Sequence, residues 1–184
     1  MQSFSLSEYA TSRGRGAVAA TDLGVCKVWL PGDEWPSGCR DSDLSNQAAE
    51  QLGYYFCGTL RQFDLKLDIS GLTEFRQHVL RLTMQIPYGT ITTYGSLARL
   101  AGSPGAARAV GGAMAANPVP VVIPCHRVVA ASGALTGYSG AGGVVMKEFL
   151  LSMEGVDFIK FPYFNLFKTK IFGSTIIRIF FVKF

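Results

Sequence analysis

From its N-terminus the chain alternates short apolar stretches, "GAVAA" and "VCKVWLPG", with polar turns, which is the texture of half-buried strands. The period changes at "DSDLSNQAAEQLGYYFCG", where Leu44, Ala48, Leu52 and Tyr55 recur at helical spacing. A small strand-and-helix lobe is therefore expected up to about Ser70, with "LRQFDLKLDISG" as its exit. Beyond it Phe75, Val79, Leu82 and Ile86 fall at intervals of four, three and four. That pattern predicts a helix capped by Thr73, burying one face until Pro87 and Gly89 end it. A second helix is expected from about Thr93, "TYGSLARLAG", stopping at Gly102, and after the turn "SPG" the stretch "AARAVGGAMAAN" can form a third. Two short helices joined by a tight, glycine-containing turn match a helix-turn-helix. The third helix is almost all Ala, Gly and Val, and Arg108 is its only charged side chain. A helix so lean can approach another surface closely, and composition alone favours packing against its neighbour.

The run "NPVPVVIPCHRVV", residues 117–129, would read as plain buried strand but for Cys125 and His126 side by side after Pro124. It is followed by the glycine- and serine-rich "AASGALTGYSGAGG", which lacks the GxxxxGK[ST] spacing of a phosphate loop and reads as a hairpin or ligand-lining loop. In "VVMKEFLLSMEG" the residues Val145, Phe149 and Leu150 are expected to face inward. The last segment, rich in Phe, Ile and Lys, is broken by its basic residues, so no apolar run approaches the roughly 20 residues of a membrane helix. It is expected as an extra packing strand or an appendix. The fold class is α+β: a small N-terminal strand/helix lobe (1–70), then a mainly helical, winged helix-turn-helix-like domain (71–157), then a basic tail (158–184) of no recognisable chemistry.

With 184 residues, 48% hydrophobic and 16% charged, the chain can bury a real core. Its net charge of +4 suggests nucleic acid, but five of the 17 basic residues and none of the 13 acids lie beyond Asp157. The remaining 12 bases against 13 acids leave the body at −1, so bulk charge does not argue for DNA. The start, "MQSFSLSEYATSRGRG", lacks the basic-then-apolar order of a secretion signal, and four irregularly spaced cysteines make no disulfide framework. Free thiols in a reducing cytoplasm are expected.

A thiol of ordinary pKa near 8.5 is a poor nucleophile at neutral pH until a histidine or a helix N-terminus favours the thiolate. Neighbouring residues point apart in a strand and about 100° apart in a helix, so His126 reaches the Cys125 proton only through a water or a kinked backbone. Pro124 favours such a kink. No acid lies between Glu74 and Glu148, and only Glu148, Glu154 and Asp157 follow the cysteine; Glu154 is the chosen partner to orient the imidazole. Three other readings compete. Cys26, Cys39, Cys57 and Cys125 offer no close ligand pair, against structural zinc. A papain-like hydrolase would need the distant His78. From the residue pair alone, a buried structural thiol remains the simplest reading.

"IPCHRVV", preceded by "ARAVGGAMAANPVP" and followed by "GYSG" and "KEFLLSMEG", resembles the O6-alkylguanine-DNA alkyltransferases, also called methylated-DNA–protein-cysteine methyltransferases. The likeness runs from about Leu72 through Gly155, roughly half the chain. It implies a monomeric repair protein without metal or cofactor that binds duplex DNA in the minor groove, turns out an O6-alkylguanine or O4-alkylthymine, and takes the alkyl group irreversibly on Cys125. The resemblance further implies that Arg108 fills the gap left by the base, that Tyr94 helps rotate the nucleotide, and that Thr93 and Ala107 flank them on the DNA face. It assigns the carbonyls of Cys125 and Val128 to the guanine amino group, the loop at Tyr138 and Ser139 to O6, Asn117 to bracing the turn, and Glu154, His126 and a water to deprotonating Cys125. Two departures stand out: Ala115 where relatives often carry a basic residue, and a "GYSGAGGVVMKEF" segment about two residues longer than in some. The alternative on the same scaffold, a non-catalytic module binding alkylated DNA, would lack the reactive cysteine.

Overall fold

The computed structural model describes residues 4–135 and 137–156; the tail expected as a packing strand or appendix lies outside the described residues. The first lobe is an antiparallel meander of β1 (Ser5–Thr11), β2 (Gly14–Thr21) and β3 (Gly24–Trp29), in that order, with α1 (Asp43–Phe56) packed against it. The central strand is buried along Ala17–Ala20, where small residues let sheet and helix close together. A reciprocal cap starts α1: Ser45 N–H donates to Ser42 Oγ, and Ser42 N–H donates to Ser45 Oγ. Two helical N–H donors that would otherwise lack partners are thereby paired. Ala48, Leu52 and Tyr55 are fully buried, as the helical spacing requires, and Leu44 is half-buried. Gly24 allows the exit segment to lie against β3, because a Cβ there would sit 2.7 Å from the Lys66 carbonyl oxygen. Val25 N–H donates to that carbonyl at 2.8 Å.

The second part runs α2 (Glu74–Met84), β4 (Thr92–Thr93), α3 (Tyr94–Leu100), α4 (Ala107–Ala115), a 3-10 turn (Cys125–Arg127), β5 (Val128–Val129) and α5 (Gly143–Met153). Thr93 caps α3 by accepting from Ser96 N–H at 3.1 Å, and Gly102 in the left-handed region (φ 70°) ends the helix and turns the chain toward α4. Val110, Ala113 and Met114 bury one face of α4 while Arg108 stays exposed on the other.

Three local expectations are corrected. Thr73 is the N-cap of α2, but its side chain makes no capping hydrogen bond. Ile86 lies beyond the helix, which ends at Met84 because Pro87 disfavours helical backbone in the residue before it; the fully buried positions are Val79, Leu80 and Thr83. Val145 is 61% exposed, and the inward face of α5 is Met146, Lys147, Leu150 and Leu151. The helix starts after a left-handed Gly142, so Val144 and Val145 occupy its first turn at the rim. Helical periodicity fixes which residues share a face; only packing fixes which face is inward.

One hydrophobic core runs from Val18 and Leu52 in the first lobe through Val79 and Leu97 to Ile123 and Leu150. The lobes are also joined through backbone, with Val28 N–H donating to the Pro118 carbonyl at 2.9 Å. Truncating a fully buried leucine of this core removes packing that the surroundings refill only in part. Leu52→Ala is expected to lower the unfolding free energy by about 2–5 kcal/mol in urea denaturation, and a loss under about 1 kcal/mol would contradict the placement of Leu52 in a shared core.

Candidate active site

Three prolines, Pro118, Pro120 and Pro124, remove backbone donors from residues 117–124, so this part of the run does not form a regular strand. It coils instead. Val121 takes a left-handed conformation (φ 76°), the only non-glycine to do so among the described residues, and the chain then closes into the 3-10 turn at Cys125–Arg127. Asn117 braces this turn: its Nδ2 donates to the Ile123 carbonyl at 2.9 Å and to Cys125 Sγ at 3.2 Å, and its Oδ1 accepts from Val119 N–H at 3.0 Å. Immediately after the turn, β5 pairs in parallel with β4, Thr92 opposite Val128 and Thr93 opposite Val129. That pairing delivers Tyr94, the first residue of α3, to the neighbourhood of Cys125, which contributes to raising the Tyr94 pKa, burial being the larger cause.

Cys125 and His126 diverge, as adjacent residues of a tight turn must. The imidazole is completely buried and reaches the end of α5, where His126 Nε2 lies 2.9 Å from Glu154 Oε1. Glu154 also receives Arg127 through Nε (2.9 Å to Oε2) and Nη2 (2.8 Å to Oε1), and Gly89 N–H at 3.1 Å on Oε2. Burial by itself would raise the carboxyl pKa, but donation from His126 and Arg127 outweighs it and holds the value at about 2. An ionised oxygen at 2.9 Å requires the proton on Nε2, which leaves Nδ1 as a bare acceptor; Nδ1 is buried and has no hydrogen-bond partner within the protein. Burial lowers the imidazole pKa, partly offset by Glu154, so the ring rests neutral.

Cys125 is 6% exposed, and burial raises its thiol pKa in spite of the Asn117 hydrogen bond and the nearby Lys147 charge. Burial thus favours the protonated form of this thiol at rest. Cys125 lines a cavity of about 320 Å³ with Asn117, Tyr138 and Ser139, and with Lys27, Trp29, Asp33 and Glu34 from β3 and the following loop. The Tyr138 hydroxyl is buried without a partner, and Ser139 Oγ donates to the Ala115 carbonyl at 3.1 Å, tying this loop to the end of α4. The Val128 carbonyl accepts from Lys147 Nζ at 2.7 Å. Arg108 is exposed near the start of α4, one residue after half-buried Ala107, and Thr93 is engaged as the α3 cap. His78 is exposed on α2, away from this cluster. Among the described residues no group of three or more His, Cys, Asp or Glu could hold a metal ion.

Sequence reasoning brought Cys125, His126, Glu154 and Asn117 together but missed three members of the same cluster. Arg127 was visible as a neighbour of the pair, yet nothing local marks it as buried. Lys147 reads as a helix-surface lysine, but it is fully buried and burial lowers its pKa to about 8. Tyr55 comes from α1, and its hydroxyl donates to Glu154 Oε1 at 2.6 Å.

Replacing the carboxylate leaves the Arg127 guanidinium buried without its counter-ion. Glu154→Gln is expected to cost about 3–5 kcal/mol of unfolding free energy at pH 7. The wild type should itself lose stability on acidification: His126, with its pKa depressed below the ordinary 6.5, contributes fully above that pH and less as the pH falls through its folded value. Denaturant unfolding between pH 5 and 8 checks both expectations, and a flat profile with an unaffected variant would contradict them.

Residues 74–156 match the family model described as 6-O-methylguanine DNA methyltransferase, DNA binding domain. A methylated-DNA–protein-cysteine methyltransferase of Mycolicibacterium paratuberculosis is 52% identical over 107 residues, covering 58% of this chain and 63% of that relative, slightly under two thirds of its length. The protein of the same name from Methanosarcina acetivorans is 45% identical over 132 residues, covering 72% of this chain and 80% of the relative. The fold is similar to that of the Mycobacterium tuberculosis O6-methylguanine methyltransferase, with a TM-score of 0.72 and 35% identity over 82% of this chain and 92% of that one. A structure of the M. tuberculosis protein in complex with DNA matches at a TM-score of 0.72 and 38% identity over 81% of this chain and 91% of that one. By these likenesses, the chain with its buried Cys125–His126–Glu154 turn belongs to the methylated-DNA–protein-cysteine methyltransferase family.

Proposed function

We propose that this protein binds duplex DNA, extrudes an O6-alkylated guanine into the cavity at Cys125, and takes the alkyl group onto that sulfur once and irreversibly. Membership of the family supplies the reaction class. The observation that carries the residue roles is the buried, unpartnered Nδ1 of His126, the residue next to Cys125, with Nε2 committed to an ionised Glu154.

The steps follow from that arrangement. His126 Nδ1 takes the thiol proton through an intervening water, and Glu154 stabilises the imidazolium that forms. Sγ attacks the alkyl carbon in line with the C–O6 bond; the S–C bond forms as the C–O6 bond breaks, and its electron pair goes to the guanine ring system. The guanine takes up a proton, so the net exchange is thiol plus O6-alkylguanine to thioether plus guanine. Asn117 Nδ2, 3.2 Å from Sγ, and Lys147 both favour negative charge on sulfur as it develops. A thioether is not displaced under mild conditions, which makes the protein a reactant consumed in its own reaction.

Extruding a base costs a few kcal/mol of stacking and pairing, and an exposed cation on a lean helix suits the gap that remains. Arg108 takes that role, with Tyr94, Thr93 and Ala107 along the same face. The minor groove presents few distinguishing contacts, which suits inspection of every guanine. A body charge near zero makes phosphate contacts few and binding sensitive to salt. The alkylguanine-facing unit is residues 71–157, with 1–70 as its supporting lobe, working as a monomer. No helix among the described residues is long and apolar enough to cross a membrane, and the free thiols fit a reducing cytoplasm.

Incubation with an O6-methylguanine duplex should raise the protein mass by one methyl group per molecule, located on the Cys125 peptide, and Cys125→Ala should remove the transfer entirely. Lesion binding by the wild-type protein with no mass change would instead identify a non-catalytic module. Arg108→Ala should slow transfer from duplex DNA by roughly ten- to a hundredfold while leaving transfer from the free alkylated base unchanged; equal slowing on both substrates would remove Arg108 from the extrusion step.

A further inference from the structure

We infer that Tyr55, on α1 of the N-terminal lobe, is a positioning residue for alkyl transfer, whose hydroxyl holds Glu154 in place and moderates its grip on His126. The inference rests on the reading of Cys125 as the nucleophile and His126 as its base.

Tyr55 is fully buried, and its hydroxyl donates to Glu154 Oε1 at 2.6 Å. Its oxygen also lies 3.3 Å from His126 Nε2, so the imidazole N–H sits between a carboxylate oxygen and a phenol oxygen. The ring is locked by Phe56 edge-on at 5.6 Å between centroids, Phe63 at 5.4 Å and Tyr88 at 6.2 Å. A side chain packed on three sides has no freedom to leave, and burial together with the Glu154 charge keeps its hydroxyl protonated. It remains a donor at every physiological pH.

Glu154 Oε1 is thus shared among Tyr55, His126 and Arg127. Each additional donor drains negative charge from the oxygen and weakens its hydrogen bond to the others. The charged and titratable groups facing His126 are Glu154 at the end of α5, Lys147 from α5, Arg127 from its own turn, and Tyr55 from α1; Tyr88, from the segment after α2, faces Glu154. Glu154 favours the imidazolium, whereas Arg127 and Lys147 oppose it. By occupying part of the carboxylate, Tyr55 shifts the balance toward the neutral ring and the protonated thiol. For a protein that can react only once, a resting thiol is protected from stray electrophiles in a way that a standing thiolate is not. The same hydrogen bond makes the geometry of the site depend on the first lobe, which carries no part of the helix-turn-helix.

Tyr55→Phe removes one oxygen and keeps the ring packing. NMR titration of the His126 imidazole should show its pKa raised by roughly half a pH unit or more, and the acid limb of single-turnover methyl transfer should move upward with it. Leu52→Ala, one turn away on the same helix, serves as the packing control and should leave both unchanged. Unmoved titration and pH profile in a folded Tyr55→Phe protein would overturn the inference, as would an equal shift in the Leu52→Ala control. The imidazole titration needs no methyl transfer, so a wild-type protein that fails to transfer would sink the alkyltransferase reading while the role of Tyr55 is still decided.

Discussion

A single buried carboxylate organises this protein. Glu154, at the end of α5, accepts hydrogen bonds from the 3-10 turn through His126 and Arg127, from the segment after α2 through Gly89, and from α1 through Tyr55. An isolated carboxylate in such a place would be costly and would neutralise itself by taking a proton. The Arg127 guanidinium and the surrounding donors reverse that tendency and keep it ionised. Four segments, distant in sequence, converge because one oxygen pair has to be satisfied.

The chemistry at the sulfur follows from this constraint. A Glu154 anion places the imidazole proton on Nε2 and leaves Nδ1 as an acceptor, while burial, with smaller contributions from Arg127 and Lys147, lowers the ring's pKa. Burial raises the pKa of the thiol and so favours its protonated form. In the proposed transfer, charge developing on the sulfur and the imidazole would be met by groups already in position, which keeps reorganisation small.

The backbone supplies the delivery system. The prolines of 117–124 disfavour a regular strand and leave a coil that ends with Cys125 lining the cavity, while the parallel pairing of β4 with β5 links that coil to the first residue of α3. The helix-turn-helix and the reactive turn are therefore joined by two residue pairs rather than by a linker. The first lobe contributes Lys27 and Trp29 to the lining of the cavity and reaches Glu154 through Tyr55. Its apolar core is continuous with that of the helical part, so the two lobes stabilise each other.

Local pattern was enough for much of this. Helical spacing marked α1 through Leu52 and Tyr55, the glycine at Gly102 marked the turn between α3 and α4, and the lack of any acid between Glu74 and Glu148 narrowed the choice of partner for His126. Those features depend on residues within a turn or two of one another, or on the mere inventory of charges. What tertiary structure alone decided was orientation and environment. Val145 obeys the helical period and still faces solvent, while Lys147, two positions on, is buried against the Val128 carbonyl. Tyr55 was legible as a core residue, but its hydroxyl meets a carboxylate 99 positions later in the chain. No local signal encodes such a meeting, because the energy of a buried polar group is set by whatever the rest of the fold brings to it.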